Sequence, residues 1–167
     1  MRIIKNANPQ AYKNNNLKVT MTNICSEIAL YTDELHSFIC CLSSLNLARW
    51  DEWKDYKFEN GMTLPELSTW FLEGALQEFI DRAKSIKFFE NTVRSAIKGR
   101  AIGLGVLGWH TFLQSKNLPY IGIPANTYTR LQFQFIEEGA LKASREQAEL
   151  YGEPEWCKGT GLDILIT

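Results

Sequence analysis

The chain has 167 residues, 45% hydrophobic and 12% aromatic, with a formal net charge of −1 at pH 7. That length and composition predict a single core-forming domain and exclude wholesale disorder. The near-neutral balance offers no bulk attraction to nucleic acid or to an anionic membrane, and no apolar run approaches the roughly 20 residues of a membrane-spanning helix.

Residues 1–16 are polar and end in Asn14-Asn15-Asn16, which predicts an irregular lead-in. The opening Met1-Arg2-Ile3-Ile4-Lys5-Asn6 is too short and too polar for a secretory signal, so a reducing cytoplasm is the expected location. Leu17-Lys18-Val19-Thr20-Met21 alternates apolar and polar, as a half-buried strand does. Next comes Asn23-Ile24-Cys25-Ser26-Glu27, with an amide, a thiol and a carboxylate at alternate positions. An extended backbone would turn Asn23, Cys25 and Glu27 to one face. An amide orients hydroxyls, a carboxylate takes a proton, and a thiol does nucleophilic or one-electron chemistry. The spacing alone does not choose among these chemistries.

A polar link over Thr32 to Ser37 leads into Phe38-Ile39-Cys40-Cys41-Leu42, a short apolar run that predicts a buried strand. Residues 17–61 thus form a strand-and-loop region, and residues 62–161 read as helical. Thr63-Leu64-Pro65-Glu66 has capping-box spacing, and Leu64, Leu67, Phe71, Ala75, Phe79 and Ala83 follow with helical rhythm. Further helices are predicted over Glu90 to Lys98 with a stop at Gly99, from near Gly108 to before Pro119, and over Thr127 to Leu150, with Gly152 and Pro154 beyond. The basic clusters Arg82, Lys84, Lys87 and Arg94, Lys98, Arg100 lie beside acids and read as solvated helix faces. Lys158-Gly159-Thr160-Gly161 reads as a turn. The apolar tail 162–167 is strand-like and needs a partner, so the end reads as cut off rather than finished.

Gly103-Leu104-Gly105-Val106-Leu107-Gly108 fits the G-x-G-x-x-G pattern of dinucleotide loops in poor context. Little strand precedes it, and no acid lies about 20 residues on. The alternative is that the glycines let a short strand pack closely against the next helix. Cys25, Cys40, Cys41 and Cys157 show no paired metal-ligand spacing, and His36 and His110 add none, so neither a metal nor a cofactor is expected on this chain.

Three blocks carry a resemblance. Thr22-Asn23-Ile24-Cys25-Ser26-Glu27-Ile28 resembles the finger loop of the class I ribonucleotide reductase large (alpha, catalytic) subunit. Cys40-Cys41-Leu42-Ser43-Ser44-Leu45-Asn46-Leu47 is similar to the segment that holds one of that family's redox cysteines. Arg100 to Trp109 is similar to its Arg-x-Ile-Gly-Leu-Gly-Val-x-Gly segment, and Tyr151-Gly152-Glu153-Pro154 and Lys158 to Gly161 extend the likeness. The order and spacing of the blocks also fit, over roughly residues 17–161.

The resemblance implies an α/β fold: a fragment of a ten-stranded α/β barrel, with the finger loop, a few strands and several outer helices in one helix-rich partial domain. It implies thiyl-radical reduction of ribonucleotides. Cys25 would take the 3′ hydrogen, Glu27 would act as base on the 3′ hydroxyl, and Asn23 would bond the substrate hydroxyls. Residues 23–27 (with Ile24 and Ser26) would line the substrate, and Cys40 would be one member of the reducing dithiol. Cys41 and Cys157 are expected in the core. Implied partners are a metal-containing, radical-generating small (beta) subunit, a thioredoxin or glutaredoxin, and complementary large-subunit segments. The family's nucleotide-sensing (ATP-binding) region, the partner of Cys40, the substrate-phosphate loop and the C-terminal tyrosines have no counterpart here, and the match ends after Gly161. A split gene, an interrupted coding region and a truncated remnant all fit. The competing readings are a non-catalytic interaction module and a small nucleotide-binding module.

Overall fold

The computed structural model describes residues 10–24, 28–161 and 165–166. Its helices are α1 (Gln10–Asn14), α2 (Trp50–Trp53), α3 (Leu64–Ala83), α4 (Glu90–Gly99), α5 (Trp109–Ser115) and α6 (Ile123–Tyr151). Short 3-10 turns occupy Leu47–Arg49 and Glu155–Cys157. The strands β1 (Cys41–Asn46), β2 (Ala101–Leu107) and β3 (Leu165–Ile166) form one parallel sheet in the order β1-β2-β3. Parallel neighbours need long crossovers. Helices α2 to α4 fill the first, and α5 and α6 the second. Expectation and structure agree on a helix-rich α/β arrangement with few strands.

β1 and β2 pair with Cys41 opposite Ile102 and Leu42 opposite Gly103, continuing to Asn46 opposite Leu107. Side chains alternate across the sheet. On one face Cys41, Leu45, Ile102, Leu104 and Val106 meet the core clusters built by the helices. The other face carries Leu42, Ser44, Gly103, Gly105 and Leu107, and both leucines are exposed there.

Several expectations shift. The irregular lead-in contains α1, whose Ala11 and Tyr12 are core residues. Leu17–Thr20 keeps its alternation, with Val19 fully buried, but Met21 is exposed and no ladder pairs the segment among the described residues. The strand expected over Phe38–Leu42 instead runs Cys41–Asn46. Pairing with β2 decides this, because Ser43 and Ser44 are drawn in by their backbone partners Leu104 and Gly105.

The start and end of α3 match its cap and rhythm, but its buried stripe is rotated. Leu72, Leu76, Ile80 and Ala83 are buried, whereas Phe71 is 71% exposed. Glu66 and Glu73 lie on that buried stripe, and their charges hide it from a pattern search. Each is neutralised locally, Glu73 by Arg100 and Glu66 by Thr63 and Lys142. Helix α6 starts four residues before Thr127 because Pro124 serves its first turn rather than breaking it.

Helix α4 includes Gly99, where a methyl group would come within 2.7 Å of the Trp156 ring. Close approach, not a left-handed backbone, requires that glycine; Arg100 takes the left-handed position with φ 44°. The tail finds its partner in β2, with Leu165 opposite Ala101 and Ile166 opposite Ile102.

Candidate functional site

One core cluster holds Cys40 and residues that flank the Asn-Cys-Glu segment. It contains Tyr12, Val19, Ile28, Leu30, Ala101, Trp156 and Cys157, with Phe38 and Cys40 packed against it. Val19 anchors the chain before the Asn-Cys-Glu segment, and Ile28 and Leu30 anchor it afterwards. The roots of that segment therefore sit on the same packed unit as Cys40.

Asn23 and Ile28, which flank Cys25 to Glu27, are hydrogen-bonded to each other. The Asn23 N–H donates to the Ile28 carbonyl at 3.1 Å, and the Ile28 N–H donates to Asn23 Oδ1 at 2.9 Å. A straight strand would hold these two residues about 17 Å apart. The clasp replaces the expected extended run at its two ends, and the Asn23 amide oxygen helps build it. Ile24 is fully exposed beside the clasp. Cys25, Ser26 and Glu27 lie outside the described residues.

Cys40 and Cys41 part company, as alternation requires. Cys40 packs on the cluster with Tyr12 and Trp156, and Cys41 packs beneath α3 with Leu72, Leu76 and Ile80. Burial pushes the Cys41 thiol up, away from the thiolate form. Cys157 is buried, and its thiol points to the Gly99 carbonyl at 3.7 Å. Cys40, Cys41 and Cys157 form no disulfide with one another.

Tyr12 is the residue that sequence reasoning missed. Its phenol oxygen accepts the Tyr31 N–H at 3.1 Å, and its ring meets Trp156 edge-on. Burial pushes its pKa up to about 12. The Tyr31 bond pulls the other way, and the nearby Cys157 and Cys40 add to the rise. The phenol stays neutral across the working range. Pro9 followed by Gln10 and the apolar pair Ala11-Tyr12 was the available signal for a short helix here.

His36 is bonded through Nδ1 to Asp33 at 2.8 Å and packs on Tyr31 and Trp156. His110 packs on Tyr120. Among the described residues no group of three or more His, Cys, Asp or Glu is placed to hold a metal ion. No helix there is long and apolar enough to cross a membrane.

The glycine motif has a local explanation. Gly103 and Gly105 lie inside β2, not in a strand-to-helix loop. Their close neighbours belong to β1 rather than to the following helix. A methyl at Gly103 would overlap Leu42 Cδ2, and one at Gly105 would touch Ser44 Oγ at 3.5 Å. Gly108 caps α5 with φ 76°, and a methyl there would meet Asn46 Oδ1 at 2.6 Å. A separate cleft of about 570 Å³ between α3 and the end of α6 holds none of the candidate residues. Its Glu73, Glu78 and Asp81 are paired with Arg100, Arg82 and Lys84.

A family model described as the ribonucleotide reductase barrel domain matches residues 3–161. The chain is 39% identical over 153 residues to the ribonucleoside-diphosphate reductase large subunit of Invertebrate iridescent virus 3, covering 92% of this chain and 23% of that protein. It is 35% identical over 153 residues to the putative ribonucleoside-diphosphate reductase large subunit of Frog virus 3 (isolate Goorha), covering 91% of this chain and 26% of that protein. Its structure superposes on the Actinobacillus ureae class Id ribonucleotide reductase alpha subunit with a TM-score of 0.89 at 40% identity, over 98% of this chain and 30% of that one. The chain spans about a quarter of the length of these two curated relatives and 15% of the Invertebrate iridescent virus 6 large subunit. With the blocks, their order and the fold all in agreement, the chain belongs to the ribonucleotide reductase barrel-domain family.

Proposed function

We propose that this chain contributes the thiyl-radical loop and one reducing thiol to a ribonucleotide reductase large subunit. The observation that carries this reading is the shared anchoring of the Asn23–Ile28 clasp and Cys40 on one core cluster. In this reading Cys25 removes the 3′ hydrogen of the ribose as a thiyl radical. Glu27 takes the 3′ hydroxyl proton, a contribution worth about 10²–10⁴-fold. Asn23 shapes the loop through Ile28 and steers the substrate hydroxyls. Cys40 supplies one sulfur of the dithiol that delivers two electrons and closes to a disulfide, which external thiols of the thioredoxin or glutaredoxin type reset. The radical is generated on a metal-containing small subunit, outside this chain.

The isolated chain is inactive in this proposal, because phosphate binding and the second redox thiol belong to complementary segments. The test combines the chain with those segments, a small subunit and a dithiol reductant, and measures deoxynucleotide formation. Turnover is expected with the native chain, none with Cys25→Ala, and a loss of at least about 10²-fold with Glu27→Gln. Full turnover with Cys25→Ala would end the proposal. A stable assembly with no turnover would favour a structural module.

A further inference from the structure

We propose that the cleft between α3, the end of α4 and the end of α6 is a docking site for a basic peptide segment of a partner protein, one that carries an arginine beside an apolar side chain. Its volume of about 570 Å³ lies within the range of about 300–1,000 Å³ of pockets that bury a ligand. Among the described residues it is lined by four carboxylates (Glu73, Glu78, Asp81 and Glu153) and one guanidinium (Arg100). Arg100 is bonded to Glu73 and Gln77, so that pair is internally neutral. Glu153 accepts from the Gly159 and Gly161 N–H groups, which leaves its charge in the wall with its oxygens engaged. Glu78 and Asp81 are therefore the groups that can take an incoming cation. They stand three residues apart on α3, close enough to face one guanidinium together. Their own partners, Arg82 and Lys84, are exposed, and surface pairs of that kind contribute little. A guanidinium held in the cleft can replace them at small cost.

The apolar half of the match comes from Ile97 and Tyr151, which line the same cleft and are both exposed to water. An apolar side chain laid on them removes that surface from water. Gly74 is the independent sign that something approaches here. It sits in the interior of α3, where glycine weakens a helix relative to alanine. Its backbone has no positive φ, and a methyl group on it would meet nothing within 4 Å. Neither conformation nor packing against the described residues requires a glycine at this position. Gly74 lines the cleft, and its bare backbone lets a bound chain come close to α3 beside Glu78.

The test is an amide-resolved NMR titration of the full 167-residue chain with the peptide acetyl-Leu-Arg-Leu-Arg-amide at low salt. Saturable shifts are expected at the amides of Gly74, Ile97, Tyr151 and Gly152, with a Kd of about 1 mM or tighter. The same peptide with citrulline in place of each arginine keeps the shape and loses the charge, and should bind about tenfold more weakly. Glu78→Gln combined with Asp81→Asn should reproduce that loss with the original peptide. Gly74→Phe fills open space, so the chain should stay folded and the shifts should vanish. Equal binding of the citrulline peptide would overturn the proposal, as would affinity unchanged by Gly74→Phe or saturable shifts confined to other surfaces. Should Gly74→Phe fail to fold, the double charge variant decides alone: unchanged affinity there refutes the site. Shifts at these four amides that follow protein concentration without peptide would assign the cleft to a second copy of the chain and refute the basic partner.

Discussion

Glu66→Ala should destabilise the chain far more than its place on an α3 surface turn suggests. The carboxylate is 3% exposed. It accepts from the Thr63 N–H at 2.6 Å and the Thr63 hydroxyl at 2.7 Å, and it pairs with Lys142 of α6. It therefore caps one helix and ties it to another, where Gly139 packs against Pro65. Losing the cap costs about 0.5–2 kcal/mol, and losing charge-assisted hydrogen bonds about 1.5–3 kcal/mol. The freed Lys142 is 60% exposed and returns to water, so it adds little. A net loss of about 2–4 kcal/mol is expected, or roughly 5–15 °C in Tm for a domain of this size.

The acid dependence has a defined sign. Burial raises the Glu66 pKa, but Lys142 and both Thr63 bonds outweigh it and hold the group below its ordinary 4.5. Stability from Glu66 is therefore present above about pH 4.5 and is lost as pH falls through the lower folded value. Thermal and urea unfolding followed by circular dichroism at pH 7 and in acid would measure both effects. Glu78→Ala, which breaks an exposed pair with Arg82, is the control. If Glu66→Ala costs no more than this control at pH 7, the assignment of a buried double role is wrong.

Asn23→Ala removes the acceptor for the Ile28 N–H and should speed hydrogen exchange at that amide about tenfold or more; unchanged exchange would show that the clasp does not persist in solution. Tyr12 should be absent from the spectrophotometric tyrosine titration near pH 10 and appear only near pH 12. Its stability contribution is intact below pH 10 and declines as pH rises toward 12, because the unfolded phenol ionises first. Tyr12→Phe strands the Tyr31 N–H and should cost about 1–3 kcal/mol in urea unfolding; a neutral result would discount that bond.

The legible parts of this fold are those governed by local chemistry. The Thr63–Glu66 cap, the start of α4 at Glu90 and the end of α6 before Gly152 follow from residues a few positions apart. The illegible parts depend on partners far away in sequence. The buried stripe of α3 passes through Glu66 and Glu73, and nothing nearby reveals that Lys142 and Arg100 will neutralise them. The limits of β1 are set by β2, some sixty residues on. The helix at Gln10–Asn14 holds because Tyr12 reaches Tyr31 and Trp156. The candidate site was legible as a family pattern and not as geometry. Alternate spacing suggested an extended run, and the bonds between Asn23 and Ile28 are what the fold adds at its two ends. Cys40 stood out by resemblance, but only the fold shows it packed with Tyr12 and Trp156.

The divergence of Cys40 and Cys41 gives the molecule two adjacent attachment points that face different core clusters. A spin label on residue 40 would report on the cluster built around Tyr12 and Trp156, which anchors the chain on both sides of the Asn-Cys-Glu segment. The same label on residue 41 would wedge between sheet and helix and report the integrity of the interior. Two adjacent positions, labelled one at a time, would thus report separately on the two core clusters.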